Sequence, residues 1–273
     1  MTRQQLVDSI FAKKSFLCVG LDTDIQLLPQ CLKAKTDAGF EFNKNIIDAT
    51  AAFATSIKIN TAFYECDGLK GWELLERTAH YIKQNYPEIF LIADAKRGDI
   101  GNTSKMYARA FLQNLPFDAI TVAPYMGADS VKPFLEFENK WVIVLALTSN
   151  SGASDFQTLT LHDSQKKLYH QVLEAAVKWG TANNMMFVTG ATRAEMLSQI
   201  REIIPHHFLL VPGVGAQGGS LSEVAKHAYT KDCGLLVNSS RGIIYASGGD
   251  DYAAKAAAEA EKLQQQMMEL MGL

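Results

Sequence analysis

Short apolar runs recur along the chain at intervals of roughly 30 residues, separated by stretches of helical periodicity. The runs are Phe16–Leu21, Ser56–Asn60, Ile89–Asp94, Asp118–Val122, Trp141–Thr148, Met185–Thr189, Phe208–Pro212 and Leu235–Ser239. Between them, apolar side chains fall at helical spacing. Examples are Leu6 and Ile10 (with Phe11 beside them), then Phe42, Ile46, Ile47, Thr50 and Phe53. Trp72, Leu75, Ala79 and Ile82 mark a helix that Pro87 stops. Tyr107, Ala110, Phe111 and Asn114 belong to another, and Val131, Phe134 and Leu135 to a short one. Leu168, Val172, Ala176 and Trp179 line the next, followed by Ala194, Leu197 and Ile200, and by Leu221, Val224, Ala225 and Ala228. An amphipathic helix rich in Ala, Glu, Lys and Gln closes the chain from about Tyr252. Residues 29–39 read as loop, and residues 149–163 form the longest stretch without an element, a length that is usually functional.

Strands that alternate with helices imply a parallel sheet. Eight such units in about 250 residues are the size of an α/β (β/α)8 barrel, also called a TIM barrel. An open doubly wound sheet is the other architecture the pattern allows. Nothing along residues 1–273 reads as a linker, a repeat or a low-complexity segment. The expectation is one barrel domain with a short N-terminal helix and a C-terminal amphipathic helix.

At 48% hydrophobic residues, the 273-residue chain has ample material for a core. A net charge of −3 gives no sign of a nucleic acid or an anionic membrane as partner. Cys18, Cys31, Cys66 and Cys233 lie far apart with no C-x-x-C spacing, and read as buried or incidental thiols. Residues 1–15 hold no apolar h-region, so a cytoplasmic protein is expected. The histidines offer no metal-ligand spacing beyond the adjacent His206-His207, which reads as a solvated loop. No metal is expected. Trp72, Trp141 and Trp179 read as core, and Met267, Met268 and Met271 as the packed side of the last helix.

In such barrels the working residues gather at the C-terminal ends of the strands. Polar side chains do collect there. Asp22 follows the first strand, and Lys58 and Asn60 end the second. Asp94, Lys96 and Asp99 end the third, and Thr148-Ser149-Asn150-Ser151 the fifth. On a regular strand Asp94 and Lys96 share one face, which places an ammonium between two carboxylates. Taken alone, that triplet also fits a solvated loop with surface ion pairs of little worth. After strand seven runs Pro212-Gly213-Val214-Gly215-Ala216-Gln217-Gly218-Gly219, and after strand eight Asn238-Ser239-Ser240-Arg241-Gly242. Glycine N–H groups can approach an anion, and Arg241 can grip one with two parallel hydrogen bonds. These two loops form the usual phosphate site of this barrel.

Asp94-x-Lys96-x-x-Asp99-Ile100-x-x-Thr103 resembles the motif of the orotidine 5′-phosphate decarboxylases. The likeness extends over nearly the whole chain, through Asp22, Lys58, Gln217 and Arg241. It is nearest to the bacterial subgroup that reads D-A-K-R-G-D-I-G-N-T. The resemblance implies decarboxylation of orotidine 5′-phosphate to uridine 5′-phosphate, the last step of de novo UMP synthesis, without a cofactor. Lys96 would stabilise and then protonate the carbanion at C6, within a row of alternating charges formed by Lys58, Asp94, Lys96 and Asp99. Asp22 and Thr103 would bind ribose hydroxyls, and Gly215, Gln217 and Arg241 the phosphate. Ser151, with Asn150, would meet the pyrimidine. Asp99, Ile100 and Thr103 would complete the site of the second subunit in a homodimer. Two other readings remain. One is a metal-dependent sugar-phosphate enzyme of the same barrel superfamily, acting through an enediolate, for which Glu65 is the candidate ligand. The other is a phosphometabolite-binding module without catalysis.

Overall fold

The structure is a computed structural model that describes residues 1–190, 194–214 and 219–273. Eight parallel strands close into a barrel in chain order. They are β1 (Leu17–Gly20), β2 (Ser56–Asn60), β3 (Phe90–Arg97), β4 (Ala119–Val122), β5 (Trp141–Leu147), β6 (Met185–Thr189), β7 (Phe208–Pro212) and β8 (Leu235–Ser239). The ring is sealed where β1 pairs with β8, Cys18 opposite Asn238. Closure removes both sheet edges and rules out the open doubly wound sheet.

The strands are apolar on both faces because one face fills the barrel and the other meets the helices. Near the N-terminal ends of β3, β5 and β7, Phe90, Trp141 and Phe208 pack edge to face, with centroids 6.0 and 6.4 Å apart. Contribution of such a layer by alternate strands is how a barrel of this size is filled. The helix Arg3–Lys13 covers this end of the barrel. The guanidinium of Arg3 stacks over the Phe208 ring at 5.0 Å and donates to the Ala182 carbonyl. At the other end of the chain, the helix Tyr252–Leu270 packs on the helix Ala38–Thr50, with Tyr252 stacked on Phe42 and hydrogen-bonded to Asn45. No helix among the described residues is long and apolar enough to cross a membrane.

A buried polar cluster holds the loop after β1. Thr23 donates to the side-chain oxygen of Asn43, whose NH₂ donates to Tyr64 and Thr78, while the Tyr64 hydroxyl donates to the Leu21 carbonyl. Every member is hydrogen-bonded, so the cluster rigidifies rather than destabilises. It fixes the backbone on either side of Asp22.

Several expectations need correction. Residues 29–39 are not all loop: Pro29 leads into the short helix Gln30–Lys33, which buries Leu32. Residues 149–163 contain the turn of helix Ala153–Phe156, and Thr160 bridges to Lys167. The helix starting at Gly101 runs through Ala108 and then widens into a π-helix over Arg109–Asn114. Trp141 is core, but Trp72 is 38% exposed. The buried stripe of its helix (Gly68–Asn85) passes through Gly71, Leu75, Ala79 and Ile82, which leaves Trp72 on the margin. Trp179 lies beyond the end of the helix Leu168–Ala176 and is half-buried. His206 is solvated as expected, whereas His207 is half-buried against Phe187. Burial, with Arg3 and Arg201 nearby, pushes the His207 imidazole down to about 4. Cys18 and Cys233 are buried, and burial pushes both thiols up to about 12.

Trp141 is fully buried, and its indole N–H donates to the Met1 carbonyl at 2.8 Å. Trp141→Ala removes the centre of the aromatic layer and orphans that carbonyl. Urea unfolding should show a loss of about 3–5 kcal/mol. A loss below about 1 kcal/mol would mean that the layer does not hold this end of the barrel together.

Candidate active site

A cavity of about 420 Å³ opens at the C-terminal ends of the strands. Asp22, Lys58, Asn60, Asp94 and Lys96 line one part of its wall. Thr148, Ser149 and Asn150 line another, and Pro212–Val214 and Asn238–Arg241 a third. Leu145, Val188 and Leu210 add an apolar surface.

The charges form a connected row. The Lys58 ammonium lies 3.4 Å from Asp22 and 3.0 Å from Oδ2 of Asp94. The other oxygen of Asp94, Oδ1, accepts from Lys96 Nζ at 2.6 Å and from the Thr121 hydroxyl at 3.0 Å. Lys58 and Asp94 are buried, whereas the Lys96 side chain is half exposed and faces the cavity. Burial alone would push the Asp94 carboxyl up; Lys58 and Lys96 outweigh it and bring the group down to about 2. For Lys58, burial favours the neutral amine, but Asp94 and Asp22 overcome it and hold the ammonium above the usual lysine range. The row is therefore charged at neutral pH through Lys58 and Asp94.

Lys96 does not sit on a regular strand. Its φ is +45°, and β3 pairs with β4 through a register shift between Ala93 and Arg97. Asp94 and Lys96 still meet on one side, through a bulge rather than simple alternation. The next residue, Arg97, turns away from the cavity to pair with Glu65 and to lie over the Tyr107 and Phe111 rings. Gly98 packs against the Ala123 carbonyl, which a Cβ there would approach to 3.0 Å.

The residues named from sequence separate into three groups. Asp22, Lys58, Asp94, Lys96 and Arg241 share the cavity wall. Asp99, Ile100, Thr103 and Ser151 do not line it. Asp99 accepts from the Ile100 N–H at 2.7 Å, while Ile100 and Thr103 are exposed on the loop and first helical turn that follow β3. Ser151 is exposed, and its carbonyl accepts from the Ser154 hydroxyl. Gly215 and Gln217 fall outside the described residues.

The guanidinium of Arg241 has no ion pair among the described residues, although it lies on the cavity wall. Near it, Gly20 leaves room for the Ser240 hydroxyl, which would lie 1.8 Å from a Cβ at that position. On the β5 side, Gln157 reaches back to hydrogen-bond both the backbone and the hydroxyl of Thr148, so the start of the long loop is fixed. The apolar surface and Thr121 escaped sequence reasoning. Leu145, Val188, Leu210 and Thr121 sit inside strands, where nothing separates a cavity-facing residue from a packed one. Among the described residues, no three His, Cys, Asp or Glu side chains gather as metal ligands.

Such a wall suits a small ligand with an anionic end for Arg241 and a reacting centre within reach of Lys96. Comparison with known proteins gives the family. The family model described as "Orotidine 5'-phosphate decarboxylase / HUMPS family" matches residues 15–257. An orotidine 5′-phosphate decarboxylase from Flavobacterium johnsoniae is 59% identical over 99% of this chain and 98% of its own length. The crystal structure of a putative orotidine-monophosphate-decarboxylase from Toxoplasma gondii superposes with a TM-score of 0.84, at 34% identity over 97% of both chains. An orotidine 5′-monophosphate decarboxylase from Methanocaldococcus jannaschii, solved with the inhibitor BMP, gives a TM-score of 0.65 at 25% identity, covering 90% of this chain and 97% of that one. On this evidence, joined to the closed barrel and the charged row at its mouth, the chain belongs to the orotidine 5′-phosphate decarboxylase family.

Proposed function

We propose that this enzyme converts orotidine 5′-phosphate to uridine 5′-phosphate and CO₂ without a cofactor, Lys96 being the catalytic acid. The observation that carries the reading is the row Asp22–Lys58–Asp94–Lys96 on a cavity wall that also holds Arg241. The relatives named as orotidine 5′-phosphate decarboxylases support the choice of substrate.

Loss of CO₂ leaves an electron pair on C6 in the plane of the ring, where the π-system cannot delocalise it. Stabilisation must come from charge placed in advance. Lys96 Nζ supplies it next to C6 and then delivers a proton to that carbon, forming the C6–H bond as its own N–H bond breaks. Asp94 holds the Lys96 ammonium at 2.6 Å, and Lys58 neutralises the far side of that carboxylate. The substrate carboxylate must enter beside Asp94, against repulsion, and the binding energy of the phosphate overcomes this. Arg241, with Gly215 and Gln217, grips that phosphate. Asp22 takes a ribose hydroxyl, and Asn150 and Ser151 serve the pyrimidine end.

Asp99, Ile100 and Thr103 serve a second copy of the chain. They lie off their own cavity, and Ile100, Met106, Tyr107, Tyr125 and Met126 are exposed apolar residues on the segments following β3 and β4. The working unit is a cytoplasmic homodimer of single-domain barrels. The enediolate alternative is not favoured, because Glu65, which it needs as a cation ligand, is paired with Arg97.

Three measurements test the reading. Activity, followed as loss of orotidine 5′-phosphate absorbance, should survive exhaustive treatment with EDTA; a loss that Mg²⁺ restores would favour the enediolate chemistry instead. Lys96→Ala should cut turnover by roughly 10⁴-fold or more while uridine 5′-phosphate still binds. Arg241→Ala should instead raise KM by roughly 10- to 100-fold with a smaller loss in kcat. Equal, modest effects of the two would show that the roles are misassigned. Finally, Lys96→Ala and Asp99→Ala, each inactive alone, should complement when unfolded and refolded together. Random pairing makes about half the dimers mixed, each with one intact site, so activity should return to roughly a quarter of wild type. Heterodimers seen by mass spectrometry but without activity would place Asp99 in its own subunit's site.

A further inference from the structure

Resting on the decarboxylase reading, we propose that Thr121 is the positioning residue of the site, its hydroxyl joining the backbone of Lys96 to the carboxylate of Asp94.

The reason lies in the bulge. Ala93 pairs with Ile120 and Arg97 with Val122, so three residues of β3 (Asp94, Ala95 and Lys96) face the single residue Thr121 of β4. A bulge takes backbone groups out of the regular ladder. The N–H of Lys96 finds its acceptor in the side chain of Thr121, at 2.9 Å from Oγ1. A threonine hydroxyl has one proton, and the amide already occupies a lone pair. That proton is therefore committed to the other neighbour, Oδ1 of Asp94, at 3.0 Å. The same Oδ1 accepts from Lys96 Nζ at 2.6 Å. The result is a closed ring: the Lys96 N–H to Thr121, Thr121 to Asp94, and Asp94 back to the Lys96 ammonium.

This ring explains how a lysine keeps a positive φ, a conformation that costs free energy for any residue with a Cβ. It also ties the two ends of Lys96 to a fixed point. The ammonium sits on a flexible four-carbon stem and is half exposed, so packing alone does not hold it. Thr121 is fully buried and absent from the cavity wall, so it positions the catalytic group without touching substrate.

Two variants separate this role from packing. Thr121→Val keeps the volume and removes both hydrogen bonds; Thr121→Ser keeps both and removes only a methyl. Thr121→Val should lower kcat for orotidine 5′-phosphate by roughly 10- to 100-fold, with KM changed by less than about threefold. Thr121→Ser should stay within about threefold of wild type. Backbone hydrogen exchange gives a readout independent of turnover: the Lys96 amide should be protected in wild type and Thr121→Ser and lose protection in Thr121→Val. If Thr121→Val does not fold, Thr121→Cys, with a weak donor and acceptor, replaces it and should show the same losses. Retention of kcat within twofold in Thr121→Val, or in its Cys substitute if needed, overturns the inference. So does a Thr121→Ser enzyme as slow as Thr121→Val, or a Lys96 amide that stays protected in the slow variant. A wild type that fails to decarboxylate orotidine 5′-phosphate would instead sink the functional reading, and the exchange experiment would still decide whether Thr121 holds Lys96.

Discussion

The ion pair between Lys58 and Asp94 is the constraint around which the open end of the barrel is built. Both side chains are buried, and neither charge is tolerable there alone. Removing either member would leave the other with a single, more exposed partner, Lys96 for Asp94 and Asp22 for Lys58. The pair sits between β2 and β3, where Asn60 is opposite Asp94 in the ladder, so its geometry follows from strand register rather than from side-chain flexibility. Asp22 and Lys96 then extend the row to either side, one from the loop after β1 and one from the bulge. Every charge has a neighbour of opposite sign, and the row ends at the half-exposed Lys96. Such a row costs stability and in return fixes an electric field at the mouth of the barrel.

A closed parallel barrel is well suited to hold such a field. Its strands have no free edges, their bodies are buried on both sides, and their tips converge on one mouth. Strands carry Lys58 and Asp94, whereas other residues of the cavity wall lie on loops. Arg241 opens the short helix Arg241–Ile244 directly after β8, and Thr148 and Asn150 begin the long loop after β5. Strand register holds the charged pair, and Gln157 holds the start of the loop after β5.

Much of this was legible in the sequence because its causes are local. All eight apolar runs are strands, and their spacing implied the barrel. Asp22, Lys58, Asp94, Lys96 and Arg241 share the cavity wall because strand ends in a barrel converge on one rim. What stayed hidden depends on register between strands. A uniform strand pattern gives no sign that β3 bulges against β4, that Lys96 takes a positive φ, or that Thr121 faces Asp94. Trp72 misled for a related reason: helical periodicity finds a stripe but not its edge, and the edge is set by how Gly71 docks against the Tyr64 carbonyl. Residues 29–39 concealed one helical turn because four residues are too few to show a period.

The residues just past Lys96 show how the chain leaves the site. Within three positions the chain passes from Lys96, which lines the cavity, through Arg97, to an aspartate that does not. Arg97 makes that separation sharp. It pairs with Glu65 from the segment after β2, lies over Tyr107 and Phe111 from the following helix, and accepts the Ala123 N–H through its carbonyl. The ion pair is partly buried, so it is screened less than a surface pair and fixes direction as well as adding energy. Gly98 then passes so close to the Ala123 carbonyl that any larger residue would force the two apart. The chain is thus gripped immediately before Asp99 and released immediately after it, with Ile100 exposed and Gly101 at a positive φ. This grip directs the Asp99 carboxylate away from the cavity of its own barrel. It keeps that carboxylate from collapsing onto the two lysines of its own barrel, where it would upset the balance of charge that Asp94 and Asp22 already strike.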